Sequence, residues 1–319
     1  MKTYFTTIMM LLAFSLIISS GSANASVEYA SMWRCIGGAD VVVSGKVTEM
    51  RDEGTDKMVS TISILEVIKG DPKLKTAEVR GGRPGCRGSI YPSMGQTGVW
   101  LLKRGGDRPA EPPNAATFDV FPESFVPLAK ILASDKKDDA LLDLFGTASG
   151  SLDREIVGYA LSNNLTSPAA IKTACRALAS SDWGCRLDAA NWLAATVTTP
   201  SDAKTALPAL IEAANRTEEI NNKHGNASAR AQAYEAIRRI LHRMGVSEAE
   251  KLPGWRGDDE AVKLWLKSGV HVTSPIANQL EDTAKETERR EAEAAVRRAC
   301  DLAQQFLRST DVSPQNKGR

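Results

Sequence analysis

Met58-Val59-Ser60-Thr61-Ile62-Ser63-Ile64-Leu65-Glu66-Val67-Ile68 alternates apolar and polar side chains through its middle and stops at Lys69-Gly70-Asp71-Pro72. A period of two is that of a strand with one face on a core, and Gly-Asp-Pro is turn chemistry. Before it, residues 39–48 (ADVVVSGKVT) form a β-branched run with partial alternation. After it come a short strand at 76–79, the fully apolar Gly98-Val99-Trp100-Leu101-Leu102, which reads as central, and a fifth strand at 117–121. Between the third and fourth strands lies an irregular loop, 81–96, containing Cys86. A second loop, 105–116, carries three prolines.

Past residue 130 the period becomes helical. Three starts share one signature: Ser167-Pro168, Thr199-Pro200 and Ser274-Pro275. A hydroxyl at the N-cap followed by proline at the first helical position satisfies or removes N–H groups that the helix leaves orphaned. Helices are expected at 153–163, 168–180, 184–196, 202–216, 226–244 and 258–268, with a long one at 275–308. Gly245 and Gly269 stand where C-terminal stops belong. Short loops make successive helices antiparallel neighbours.

Residues 1–25 carry one lysine, an apolar run from Ile8 to Ile18 and the ending Ala23-Asn24-Ala25. That is the grammar of a secretory signal peptide cleaved after Ala25. The run is too short to span a bilayer of about 30 Å, and no second apolar segment of about 20 residues follows, so no membrane span is expected. Removing Lys2 leaves the mature charges balanced. A neutral chain has no global field for nucleic acid. The expected location is periplasmic or secreted.

Five cysteines are present: Cys35, Cys86, Cys175, Cys185 and Cys300. In an oxidising compartment pairing is the default, and four cysteines allow three connectivities. Position favours Cys35 with Cys86, in the first half, and Cys175 with Cys185, within one helical segment. Loop closure gives ceilings of roughly 4 and 3 kcal/mol for the two bridges. Cys300 is left over, as a buried inert thiol or an intermolecular bridge. None of the spacings fits a zinc site.

Enzyme signatures are sparse. The three histidines, His224, His242 and His271, form no H-E-x-x-H pair. The glycines and Ser149 of Gly146-Thr147-Ala148-Ser149-Gly150 have the wrong spacing for a nucleophile elbow. Arg83 and Arg87 in the glycine-rich loop suggest anion ligands, but the loop runs into Ile90-Tyr91-Pro92 rather than a helix. The last helix offers ion pairs Glu281–Lys285, Glu286–Arg290 and Glu293–Arg297 at i,i+4 spacing. Tyr91 and Trp255, with Arg83 and Arg87, are the candidate partner-binding residues, because aromatics and arginines dominate binding hot spots.

Two resemblances can now be drawn. Cys35, ADVVVSGKV, a strand ending in LEVIKG, Cys86 and GVWLL together resemble the netrin-like, tissue-inhibitor-of-metalloproteinases-like domains of exported bacterial proteins. The likeness covers about 33–121 and implies a five-stranded OB-type barrel closed by a disulfide. Inhibitors of that family hold the protease zinc through an N-terminal cysteine. Here the mature chain would begin at Ser26, with Cys35 inside it. Arg186-Leu187-Asp188-Ala189-Ala190-Asn191-Trp192-Leu193-Ala194 and Arg230-Ala231-Gln232-Ala233-Tyr234-Glu235-Ala236-Ile237 resemble the second helix of HEAT-type repeats, over about 150–268. Such arrays present long surfaces to partners.

The expected organisation is an α+β, two-domain chain. It comprises a signal peptide (1–25), a disulfide-closed β-barrel (26–130), HEAT-like α-hairpin repeats (131–274), a long terminal helix (275–308) and a disordered tail (309–319). The expected function is non-enzymatic protein binding without cofactor or metal, its partner and oligomeric state left open. The competing readings are an inhibitor or immunity protein that blocks a secreted hydrolase, and a hydrolase working with carboxylates alone, which needs no linear motif.

Overall fold

The computed structural model describes residues 31–52, 57–82, 92–104, 114–135, 137–147, 150–216, 223–253, 280 and 285–311. A short helix, α1 (Met32–Cys35), passes through a 3-10 turn at Ile36–Gly38 into five strands. These are β1 (Val41–Asp52), β2 (Lys57–Lys69), β3 (Thr76–Gly82), β4 (Thr97–Arg104) and β5 (Asn114–Phe121). A 3-10 turn at Glu123–Phe125 leads to α2 (Val126–Leu132), α3 (Asp138–Leu144), α4 (Gly150–Ser162), α5 (Pro168–Ala177) and α6 (Trp183–Thr196). Then come α7 (Pro200–Asn215), α8 (Lys223–Arg243), a 3-10 turn at Ser247–Lys251, and α9 (Glu286–Asp311). The chain is thus a five-stranded β-module followed by a helical region.

The strands pair in the order β1-β2-β3-β5-β4, and β4 pairs back onto β1 in a closed barrel. All pairings are antiparallel except β3 with β5. Register shifts at Val42/Val43, Ser44/Gly45 and Val47/Glu49 let β1 bend far enough to serve both neighbours. Gly45 faces Gly98 across β1 and β4. A Cβ on Gly45 would meet Ile62 at 2.6 Å and the Ser63 carbonyl at 2.8 Å, and one on Gly98 would meet the Phe121 carbonyl at 2.5 Å. Glycine is required at both for the backbones to approach.

Alternation explains why β1 and β4 read as wholly apolar. Val41, Val43, Val47, Trp100 and Leu102 fill the barrel with Ile62, Ala77 and Val79. Val42, Val99 and Leu101 point outward, yet they too are buried, beside Phe121, Phe125 and Leu128. Both faces of these strands therefore lie against apolar material. The outward cluster continues without a break through Met32, Ile36, Leu152 and Ile156 to Trp192 and Tyr234. The barrel wall and the helices share one core.

The helices stack in two layers, with α4, α6 and α8 side by side and α5, α7 and α9 alongside them. Ser167 and Thr199 cap α5 and α7 through the amides of Ala170 and Asp202, each followed by proline, as the sequence indicates. Gly245 takes φ +80° just beyond α8, the left-handed stop that glycine adopts without a Cβ penalty. Arginines hold the helix ends together. Arg186 donates to the Ser180 carbonyl (2.8 Å) past the end of α5, and Arg230 to Ala214 (3.2 Å) at the end of α7. Arg176 reaches Phe145 (3.2 Å) after α3, and Arg243 reaches Ala194 (3.0 Å) near the end of α6. A cation on terminal carbonyls satisfies orphan acceptors and meets the negative end of the helix dipole.

Several expectations change. The Cys175–Cys185 bridge is not formed, and both residues are free thiols. Cys175 Sγ leaves α5 toward the Thr205 carbonyl of α7, 3.7 Å away. Cys185 sits in the first turn of α6 with its thiol near Ser180 and Asp182. The two side chains leave their helices toward different neighbours. Cys35 is a free thiol hydrogen-bonded to the Asp119 side chain. Its expected partner, Cys86, lies outside the described residues. Glu286 pairs with Arg290 at 2.8 Å as expected, but Glu293, read as the partner of Arg297, is held by Arg230 of α8. Residues 1–25, the helix expected at 258–268, the beginning of the one expected at 275–308 and most of the expected tail lie outside the described residues.

Candidate functional site

Asp188 interrupts the composition of its own helix. Residues Gly184 to Ala194 of α6 are buried all round, mostly as Ala, Leu and Trp192, and within them Asp188 is only 6 % exposed. Arg154 of α4 reaches it, its Nε 3.9 Å from Asp188 Oδ2, and the next residue of α4, Glu155, is a second acid taken largely out of water. Glu155 accepts hydrogen bonds from the main-chain N–H groups of Met32 and Trp33, the first two residues of α1. No side chain caps α1 from its own N-cap, Ser31. Glu155 therefore serves orphan donors that a local cap would otherwise take.

Burial governs the ionisation of both acids. Taking Asp188 out of water raises its pKa to about 7, against a weaker downward pull from Arg154 and Arg34 and an upward push from Asp182. Burial likewise raises Glu155 to about 7, and the two amides, Arg154 and Arg34 offset only part of that. Among the described residues, Glu155 Oε2 is shut off from solvent and takes no hydrogen bond.

The two arginines that act on both acids each lie against a tryptophan ring. The Arg34 guanidinium stands 4.7 Å from the Trp33 ring centroid, and that of Arg154 stands 6.0 Å from Trp183. Each such pair contributes about 0.5–1 kcal/mol where water reaches it. Trp33 also meets Tyr159 edge to face, 6.4 Å between centroids, and the Tyr159 hydroxyl donates to Asp138 at 2.9 Å. Two glycines make the room: a Cβ on Gly158 would come within 3.2 Å of Trp33 Nε1, and one on Gly184 within 2.7 Å of the Arg154 guanidinium carbon. Trp33 and Trp183 are part-exposed, Arg34 is exposed and the Arg154 side chain is 42 % exposed. The result is a part-exposed set of aromatic and cationic side chains on α1, α4 and the start of α6, its two arginines acting on Glu155 and Asp188.

The polar row continues across the same layer. Gln232 of α8 donates to Asn191 of α6, and Glu235 accepts from Arg238 at 2.7 Å and Arg239 at 3.0 Å. These side chains satisfy one another, as buried polar groups must.

The residues singled out from the sequence fare differently. Arg83, Arg87, Tyr91 and Trp255 lie outside the described residues. His242 is 58 % exposed and faces Glu250 at 3.4 Å on the surface of α8. Trp100 and Trp192 are core residues, their indole N–H groups donating to Gly45 and Leu165 carbonyls at 3.1 and 2.8 Å. Trp33, Arg34, Arg154, Glu155, Trp183 and Asp188 went unread as a site. The signal available was Asp188, with Arg186 and Asn191, in a helix otherwise made mostly of apolar and small residues. Comparison with protein-family models, curated proteins and solved structures returns no match for this chain.

Proposed function

We propose that this chain is an exported, non-enzymatic protein-binding module and that its partner docks on the seam of Trp33, Arg34, Arg154 and Trp183. The observation that carries the reading is the two part-exposed arginine–tryptophan pairs, Arg34 with Trp33, which packs on the shared core, and Arg154 with Trp183. Hot spots are built from such residues: large, amphipathic, and already ordered before the partner arrives. The strand order, with β3 parallel to β5, supports an OB-type reading of the barrel. The equivalent placement of Arg186 and Arg230, each on the end of the preceding helix, supports a HEAT-like reading of α5 to α8. Export rests on the pattern of residues 1–25. Free thiols are compatible with it, because burial keeps them protonated and slow to oxidise. The experiment is capture from envelope extracts on the cleaved protein, with a Trp33→Ala/Trp183→Ala variant in parallel. A partner retained by the wild type and lost by the variant is the expected result; identical recoveries would remove the proposed face.

A second reading has one observation in its favour. Two carboxyls that burial raises to about 7, both felt by Arg154 and Arg34, have the ionisation a general acid or base requires. Against it, Asp188 is only 6 % exposed, with no room for a substrate to reach it. Hydrolysis of any substrate in a screen, abolished by Glu155→Gln, would favour this alternative.

A further inference from the structure

We infer that the partner docks through an acidic protein segment, its carboxylates on the guanidinium groups of Arg34 and Arg154 and its apolar side chains on the rings of Trp33 and Trp183. The inference rests on the binding reading of that face and names the chemistry that fills it. α4 packs against both α1 and α6. Arg154 and Gly158 stand at i,i+4 on α4, so they share a face and lie about 6 Å apart. Trp33 of α1 rests on Gly158, and the Arg154 guanidinium rests on Gly184 of α6 while facing the Trp183 ring. The two arginine–tryptophan pairs are therefore neighbours, one helical turn apart along α4.

Each guanidinium lies over a ring, which leaves its N–H edge for an acceptor. Among the described residues, neither Arg34 nor Arg154 donates a hydrogen bond. The Arg154 ion pair with Asp188 spans 3.9 Å, beyond hydrogen-bond length. Arg34 is exposed and Arg154 reaches solvent, so both sets of donors face water. A carboxylate meets such a fork with two parallel hydrogen bonds.

The surrounding acids decide what kind of anion fits. Asp182 accepts from the Cys185 amide (2.7 Å), Asp153 from the Gly146 amide (2.8 Å) and Asp138 from the Tyr159 hydroxyl (2.9 Å). Glu155 holds the amides of α1, and Asp188 is buried. A nucleic acid or an anionic membrane needs a broad basic field. This chain has 40 Lys and Arg against 39 Asp and Glu, and acids flank the two arginines. A protein segment instead sets single carboxylates on the two forks. The rest of its length can be apolar, which suits the part-exposed rings of Trp33 and Trp183.

Selection of a random peptide library on the full chain, with Trp33→Ala/Trp183→Ala in parallel, tests this. Peptides retained by the wild type and lost by the variant should be rich in Asp and Glu beside apolar residues. Changing those acids to Asn and Gln should weaken a retained peptide by about 10-fold or more on the wild type, and by less than about 2-fold on Arg34→Gln/Arg154→Gln. Should Arg154→Gln not fold, the exposed Arg34→Gln decides alone. A smaller loss on it than on the wild type supports the inference, and an equal loss overturns it. Tryptophan-dependent peptides that are basic or uncharged would keep the docking face and overturn its acidic partner. Displacement of the acidic peptide by a single-stranded oligonucleotide at equal concentration would reassign the face to a polyanion. Recoveries that ignore the tryptophan variant would remove both the face and the inference.

Discussion

Arg230 places Nη1 and Nη2 each 3.0 Å from the two carboxylate oxygens of Glu293, joining α8 to α9 with a two-pronged ion pair. The arginine side chain is 8 % exposed and its Nε also holds the Ala214 carbonyl of α7. One residue thus fastens three helices.

Replacing Arg230 by Ala should therefore cost about 2–4 kcal/mol, since it leaves Glu293 and a helix-end carbonyl without their donor. Glu293→Ala should cost less, because Glu293 is 34 % exposed and water can partly replace it. Urea unfolding of the two variants measures the difference; equal and negligible losses would show that α9 is not fastened here.

In the barrel, Gly98→Ala should destabilise by about 2 kcal/mol or more. Its new methyl meets the Phe121 carbonyl, a backbone atom that cannot swing aside. Gly184→Ala is the contrast, because its obstacle is the long Arg154 side chain. Thermal unfolding should separate them by several degrees, with Gly98→Ala the lower.

The four described thiols should be slow. Burial pushes Cys35, Cys175 and Cys300 up to about 11 and Cys185 up to about 12. Thiolate is the reactive form, so labelling at pH 7.5 should run about 100-fold below that of a free thiol and become fast on unfolding. Rapid labelling of native Cys175 or Cys300 by mass spectrometry would contradict the burial described here.

How much of this was legible beforehand depends on the range of the interaction concerned. β2 was expected at 58–68 and runs Lys57–Lys69, and α6 was expected at 184–196 and runs Trp183–Thr196, because period and capping are local. Ser167 and Thr199 cap as their hydroxyl–proline signature indicates. The Cys175–Cys185 pairing failed because ten residues of sequence separation say nothing about which way each thiol leaves its helix. The contact of Glu155 with α1 was invisible for a related reason. Met32 and Glu155 lie far apart in the chain and meet only after the barrel has folded between them. Glu155 also looks like any surface glutamate in its own helix. Asp188 was the more visible acid, one of two charges, with Arg186, in a helix otherwise suited to complete burial.

Global stability should depend on pH through the two acids. Unfolding returns Glu155 and Asp188 from about 7 to ordinary values of 4.5 and 3.8. The native state binds the extra protons, so their contribution is full below about pH 4 and is lost as pH rises to 7, on the order of a few kcal/mol in all. The gap in urea midpoint between wild type and Glu155→Gln/Asp188→Asn should shift in the variant's favour as pH goes from 5 to 8. A gap that stays constant would mean that both acids are already charged in the folded protein throughout this range.

The binding proposal meets its most direct test in the affinity of the captured partner for single variants on and off the seam. Trp183→Ala should weaken binding by at least about 10-fold, the lower range for a hot-spot residue. Lys172→Ala, exposed on α5, should bind as the wild type does. If Trp183→Ala bound with unchanged affinity and Lys172→Ala did not, the partner would sit elsewhere and the account would fail.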